Sequence, residues 1–236
     1  VADVLAQESR AALAAVSFLT RIPVGIALDG DDVRRGATYF PLVGAAIGAS
    51  TGVLSRRVGP PLALGALTVL TGALHLDALA DSADSLGTRD RDRALEIMRD
   101  SRIGSFGTAA VCLNLMIKAS ALAQGEHVVR KATTAGTLSR TVPVVLAAAL
   151  PYARSSGTGE ALSHGSGARA SAAVAIAAGL ALALGRDEGR SALGVAACVG
   201  AASAGFCQRK LGGVTGDTLG ASLELCETAI LVWSTR

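Results

Sequence analysis

Seven stretches of this chain, at about positions 40–54, 61–76, 104–123, 135–152, 171–184, 192–206 and 218–233, consist of small and aliphatic residues with little or no charge. Each runs roughly 14 to 20 residues, which at about 1.5 Å of helical rise per residue approaches the thickness of a bilayer core. Only 17% of the 236 residues are charged and the mean hydropathy is +0.46, whereas soluble domains carry roughly 25% charge. A weaker apolar segment from Ala11 to Leu19 fits either an eighth span or a helix lying at the interface. The expected fold is all-α: a polytopic integral membrane helical bundle of about six to eight transmembrane helices, forming a single domain over residues 1–236.

A soluble bundle is the competing reading, since aromatic residues make up only 3% of the chain and leave little for an interfacial belt. Such a bundle needs polar faces at helical spacing, however, and most of these segments are apolar all round. Gly44, Gly48 and Gly52 recur every four residues along one segment, a spacing that lets a second helix approach closely. Scatter by composition accounts for them equally well. Cys112, Cys198, Cys207 and Cys226 are dispersed without a C-x-x-C pair and read as small buried hydrophobes rather than zinc ligands or disulfides. The opening "VADVLAQESR" lacks a basic start ahead of an apolar core, so no cleaved signal peptide is expected. "SSGTGEALSHGSG", residues 155–167, is the flexible-looking stretch.

Loop charge suggests an orientation. The connections at 21–39, 77–103, 153–170 and 207–217 carry 12 lysines and arginines, and those at 55–60, 124–134 and 185–191 carry 6. The first set should face the cytoplasm. That assignment puts every polar cluster of interest on one side.

The first cluster is "HLDALADSADSLG", residues 75–87, which follows a fifteen-residue run without charge. If the helix beginning near Pro61 continues past His75, Asp77, Asp81 and Asp84 fall within a stripe roughly 60° wide. Carboxylates at these spacings repel, so a cation belongs between them. A hard divalent ion fits oxygen ligands, and magnesium is favoured where substrate phosphates and water complete its shell. A solvated helix end carrying acids for solubility or capping is the plainer alternative. His75 lies about 160° around the helix from Asp77 and is not expected to ligate.

"RDRDRALEIMRDSRIGSFG" follows. Its early part reads as an ion-paired exposed helix. Arg99, Ser101 and Arg102, just before Gly104 and Gly107, offer guanidinium and backbone N–H groups suited to a phosphate. Near the end, "LGGVTGDTLGASLELCE" (211–227) makes a glycine-rich loop in which Asp217 or Thr218 can cap the next helix. Glu224 and Glu227 then enter an apolar run, where an ionised carboxylate costs a few kcal/mol. Asp217 and Glu224 share a face and could close a metal site; alternatively the glutamates pair with an arginine inside the bundle, such as Arg140.

Together these three motifs, with "FLTRIPV" (18–24) and "YFPLVGAAIG" (39–48), resemble the cobalamin synthase family, adenosylcobinamide-GDP ribazoletransferase. The resemblance runs the length of the chain in order and spacing, although residues 120–205 match in hydropathy only. The family usually has glycine where Ala78 stands, and often where Ser85 stands; both departures leave the carboxylates in place. The resemblance implies a magnesium-dependent enzyme of the bacterial inner membrane with its active-site loops facing the cytoplasm. Its substrates would be adenosylcobinamide-GDP and α-ribazole or its 5′-phosphate, the acceptor's 5′ oxygen attacking the diphosphate and releasing GMP. Asp77, Asp81, Asp84 and Asp217 would hold Mg2+. Arg21, Arg99, Ser101, Arg102, Thr215 and Thr218 would bind substrate, and Asp81 or Glu224 would accept the hydroxyl proton. The lipid bilayer is an expected partner, nucleic acid is not, and a homo-oligomer or a membrane assembly of corrinoid enzymes is left open. A CDP-alcohol phosphotransferase also clusters helical aspartates, but nothing here matches the Ala-Arg element of its signature. An ion-coupled transporter would place its acids near the midplane of the membrane, and these gather at one side.

Overall fold

The computed structural model describes residues 2–125, 127–154, 157, 159–163 and 167–234, so part of the 155–167 stretch lies outside the described residues. The described chain is helical throughout: α1 (Ala2–Leu19), α2 (Gly30–Gly36), α3 (Phe40–Val58), α4 (Pro60–Thr71), α5 (Leu74–Asp84), α6 (Arg91–Ile97), α7 (Ser105–Leu122), α8 (Val128–Ala149), α9 (Glu160–Ser163), α10 (Gly167–Leu184), α11 (Arg186–Leu211) and α12 (Gly216–Trp233). α3 and α4 start with proline at their first positions, where a missing N–H does no harm. α11 stops at Gly212, which takes the left-handed conformation at φ 72°.

Among the described residues, the segment from Gly30 to Val58 and helices α7, α10 and α11 are long and apolar enough to cross a membrane, and a fifth span is formed if α4 and α5 count as one broken element. α8 and α12 have spanning length but carry the buried charges described below; with them the count comes within the expected six to eight. Phe106, Leu113, Met116 and Ile117 stand exposed along α7, an apolar surface that water would not tolerate and lipid would cover. Cys112 and Cys198 also lie on the outside, contrary to the expectation that the cysteines are buried, while Cys207 and Cys226 are inside; all four are free.

The centre of the bundle is the contact of α3 with α8. Gly44 lies against the backbone of Gly136, Gly48 against the carbonyl of Ala132 and Gly52 against Val129, so a methyl group at any of the three would meet main chain. The four-residue glycine spacing is therefore a packing seam and not a product of composition.

One expectation is overturned. The helix from Pro61 does not run on past His75. Gly72 (φ 64°) and Ala73 (φ 58°) are successive left-handed residues, and the axis turns by 93° between α4 and α5. Gly72 N–H donates to Val69 O and Ala73 N–H to Thr68 O at 2.9 Å, a Schellman ending that satisfies the last carbonyls of α4. The aliphatic stem of Arg21 fills the space beside Gly72, and Arg21 N–H donates to Leu70 O at 2.7 Å. α5 thus leaves the line of α4 and packs between α12 and α7.

Polar contacts tie loops of each group to one another. Arg91 donates to Leu211 O and Ala153 O, Lys210 donates to Thr88 O, and Arg169 donates to Arg35 O, joining the first group at one end. Arg130 and Glu188 pair at 2.6 Å across two loops of the second group.

Gly48→Ala should push α3 from α8 and lower stability by about 1–3 kcal/mol, whereas Gly65→Ala, where a methyl meets open space, should be neutral or slightly stabilising. Unfolding of detergent-purified protein in increasing SDS, followed by circular dichroism, measures both.

Candidate active site

The aspartate stripe survives the break because Asp77, Asp81 and Asp84 all lie on the regular helix α5. Asp77 is exposed, and Asp81 and Asp84 are half-buried. α12 comes close alongside because Gly220 leaves room for the methyl of Ala78. The start of α12 therefore stands over the start of α5, which brings Asp217 within electrostatic reach of Asp77 and Asp81.

Asp217 is held in place by the turn before it. Thr215 caps α12: its Oγ1 accepts from Thr218 N–H at 3.2 Å, and Thr215 N–H donates to Thr218 Oγ1 at 2.9 Å. Both threonines are buried, and their hydroxyls close a reciprocal capping box. Thr215 rather than Asp217 or Thr218 is the cap. Val214 N–H donates to Pro151 O and Ala153 N–H to Val214 O, each at 2.8 Å, a single parallel bridge that lays 151–153 beside the loop. That bridge delivers Arg154, whose guanidinium lies 2.8 Å from Asp217 Oδ2. The arginine side chain is 10% exposed, and its Nε and terminal nitrogen lack aligned hydrogen bonds among the described residues.

Asp84 is committed elsewhere. Its carboxylate accepts from Gly104 N–H at 2.7 Å and from Gly107 N–H at 2.8 Å, at the positive start of α7. The cradle anticipated for a phosphate at "RDSRIGSFG" thus already holds an anion of the chain's own. Arg102 turns onto Asp100 at 2.6 Å, and its hydrogen bonds draw the Asp100 carboxyl down to about 2. Arg99 and Ser101 are exposed on the same loop. Upstream, Asp90 caps α6 and Arg93 pairs with Glu96, as an exposed ion-paired helix should.

Glu224 lies apart from the aspartates, in a buried network between α7, α8 and α12. Lys118 Nζ donates to Glu224 Oε2 at 2.7 Å and to Glu227 Oε2 at 3.1 Å. Arg140 sits 2.9 Å from Glu227, and Asn114 Nδ2 donates to Glu224 at 2.7 Å. The pairing of Glu227 with Arg140 is the alternative foreseen from sequence. Glu224 is buried, with its charge compensated by Lys118 and its Oε2 accepting from both Lys118 and Asn114. Lys118 and Arg154 were not singled out; a lone lysine inside "LNLMIKASAL" is a signal that could have found the first.

Among the described residues, no three His, Cys, Asp or Glu side chains converge on a point that could hold a metal ion. Asp77 and Asp217 line one cavity, and Asp81 lies within electrostatic reach of both.

A family model for cobalamin-5-phosphate synthase matches residues 11–235. The chain belongs to that family. An adenosylcobinamide-GDP ribazoletransferase of Shigella dysenteriae serotype 1 (strain Sd197) is 36% identical over 241 residues, covering 93% of this chain and 96% of the relative. The proteins of the same name from Escherichia coli (strain K12) and Shigella flexneri are 36% and 37% identical, again over 93% of this chain and 96% of each relative. No solved structure matches the chain.

In this cobalamin-5-phosphate synthase family member, Lys118→Met should destabilise the bundle by about 3–5 kcal/mol, because it strands the buried Glu224 and leaves Glu227 with Arg140 alone. Adding Glu224→Gln should recover part of the loss. A double-mutant cycle of SDS unfolding free energies reads the coupling.

Proposed function

We propose that this enzyme transfers the adenosylcobinamide-phosphate group of adenosylcobinamide-GDP to α-ribazole or its 5′-phosphate, releasing GMP, at the cytoplasmic face of a bacterial inner membrane. The observation that carries the reading is the pairing of Asp217 with the enclosed guanidinium of Arg154, with Asp77 and Asp81 within electrostatic reach, in a chain of this family. Splitting a diphosphate asks a protein mainly to position groups and neutralise charge, and carboxylates that recruit a cation, beside an arginine fork, supply both.

The family's description refines the acceptor. A product that keeps a 5-phosphate cannot have used that oxygen as nucleophile, since it already carries phosphate. That supports a free ribose hydroxyl as the attacking group, in place of the 5′ oxygen anticipated from sequence. Its oxygen bonds to the phosphorus bearing the cobinamide, the bond from that phosphorus to the bridging oxygen breaks, and GMP leaves with the electron pair. Asp81 takes the hydroxyl proton and returns it to solvent.

Magnesium, held by Asp77 and Asp217 with Asp81 beside them, would neutralise the diphosphate. Arg154 grips phosphate oxygens once the substrate competes for it with Asp217, and Arg99, Arg102 and Arg21 offer further positive charge from neighbouring loops. Asp84 keeps the start of α7 against α5, and so contributes by position.

In lipid-reconstituted protein, GMP release from adenosylcobinamide-GDP and α-ribazole should require magnesium. Asp81→Asn should lower kcat by about 10²–10⁴, and Arg154→Gln should raise KM for the GDP substrate. A folded wild-type protein that releases no GMP under these conditions refutes the assignment. The 31P and 1H spectra of the product should place the new diester on a secondary ribose hydroxyl, and a diester at the 5′ position would restore the earlier expectation.

A further inference from the structure

A cavity of about 240 Å³ opens beside the carboxylates, between the ends of α1 and α3 on one side and α5 and α12 on the other. Asp77, Asp217 and His75 are its ionisable lining residues, and the remaining walls are largely apolar. Phe18 and Phe40 stack in one wall with ring centroids 5.4 Å apart and planes at 27°, and Leu162 and Leu219 line it as well. Phe40, Leu162 and Leu219 are buried inside the bundle while Leu74 and Asp77 are exposed, so the cavity reaches from the surface into the bundle.

We propose that this chamber binds the aromatic azole base of the acceptor nucleoside, stacked along Phe18 and Phe40, with the ribose hydroxyls toward Asp77 and Asp217. The inference rests on the phosphotransfer reading above and assigns one of its two substrates a place. Size excludes the alternatives: pockets that enclose a drug-sized ligand run to about 300–1,000 Å³, so a corrin ring does not fit. Guanine suits these walls less well, because it carries donors and acceptors along several edges and the ionisable side chains lining the chamber are only Asp77, Asp217 and His75. An azole base offers flat apolar area and few polar atoms, which is what these walls accept. The acids at the chamber then face the sugar, where the nucleophilic hydroxyl must emerge. Ala78 and Gly220 also line the chamber and fit against each other there. The residue at 78 therefore helps set how large a base enters.

The test is steady-state GMP release by protein in lipid vesicles, varying one substrate at a time, with wild type, Phe18→Ala and the milder Phe18→Leu. Loss of the stacking wall should raise KM for α-ribazole at least tenfold in Phe18→Ala and less in Phe18→Leu, with KM for adenosylcobinamide-GDP unchanged. Equilibrium dialysis of α-ribazole alone, without nucleotide substrate or turnover, should show the same order of affinities. Wild-type turnover with the acceptor KM of both variants unchanged overturns the chamber assignment while leaving the phosphotransfer reading intact. Absence of wild-type turnover with the dialysis order preserved overturns the phosphotransfer reading and retains a site for the base. An equal rise in KM for both substrates also overturns the assignment, since it marks general distortion of the site.

Discussion

Two carboxylates on α12 enter the interior of an apolar bundle, and every arrangement open to this chain must bring cations to meet them. Lys118 from α7 and Arg140 from α8 do so, with Asn114 completing the hydrogen bonding of Glu224. The cost of leaving either acid unmatched in such a medium is several kcal/mol, so α7, α8 and α12 are tied in register by charge as well as by shape. The glycine seam then presses α3 onto α8. α5 fills the remaining side of α12, where Ala78 meets Gly220. The position of Asp217 over α5 follows from this order of constraints.

The break after Thr71 serves the same end. A straight helix from Pro60 would carry the aspartates onward along the line of α4. The two left-handed residues turn α5 across the bundle, between α12 and α7. Asp77 and Asp81 then come within the field of Asp217 and Arg154, while Asp84, a turn further on, fastens the start of α7. One helix thus supplies both reactive carboxylates and the clamp that steadies the neighbouring loop. Arg91 and the Tyr152–Val214 bridge do for the loops what the buried ion pairs do for the helices: they join 91, 153 and 211–214 into one support.

Much of this was written locally. Apolar runs marked most of the long helices, because a membrane-length segment admits few other structures, but they missed the break between α4 and α5 and the polar starts of α8 and α11. The aspartate stripe needed only helical spacing, and the motifs at 75–87, 91–107 and 211–227 carried the family. The capping box formed by Thr215 and Thr218 of "GGVTGDT" was not read locally, because Thr-x-x-Thr is equally a ligand pair and only the burial of both shows the reciprocal cap. Arg154 gave no local signal: it sits in a loop beside an unremarkable tyrosine, and only the bridge to Val214 carries it to Asp217.

By itself, then, the sequence determined that the chain is a helical membrane protein, that α5 bears a stripe of carboxylates, and that α12 brings charge into an apolar interior. These follow from periodicity and hydropathy, which act over a few residues. Tertiary structure alone decided which carboxylates face one another, which are spent on backbone N–H groups or buried cations, and where an apolar chamber opens beside the acids. Those outcomes depend on close approaches between segments from about twenty to more than a hundred residues apart, where a missing methyl at Gly220 or a left-handed turn at Gly72 sets distances that no helical periodicity records.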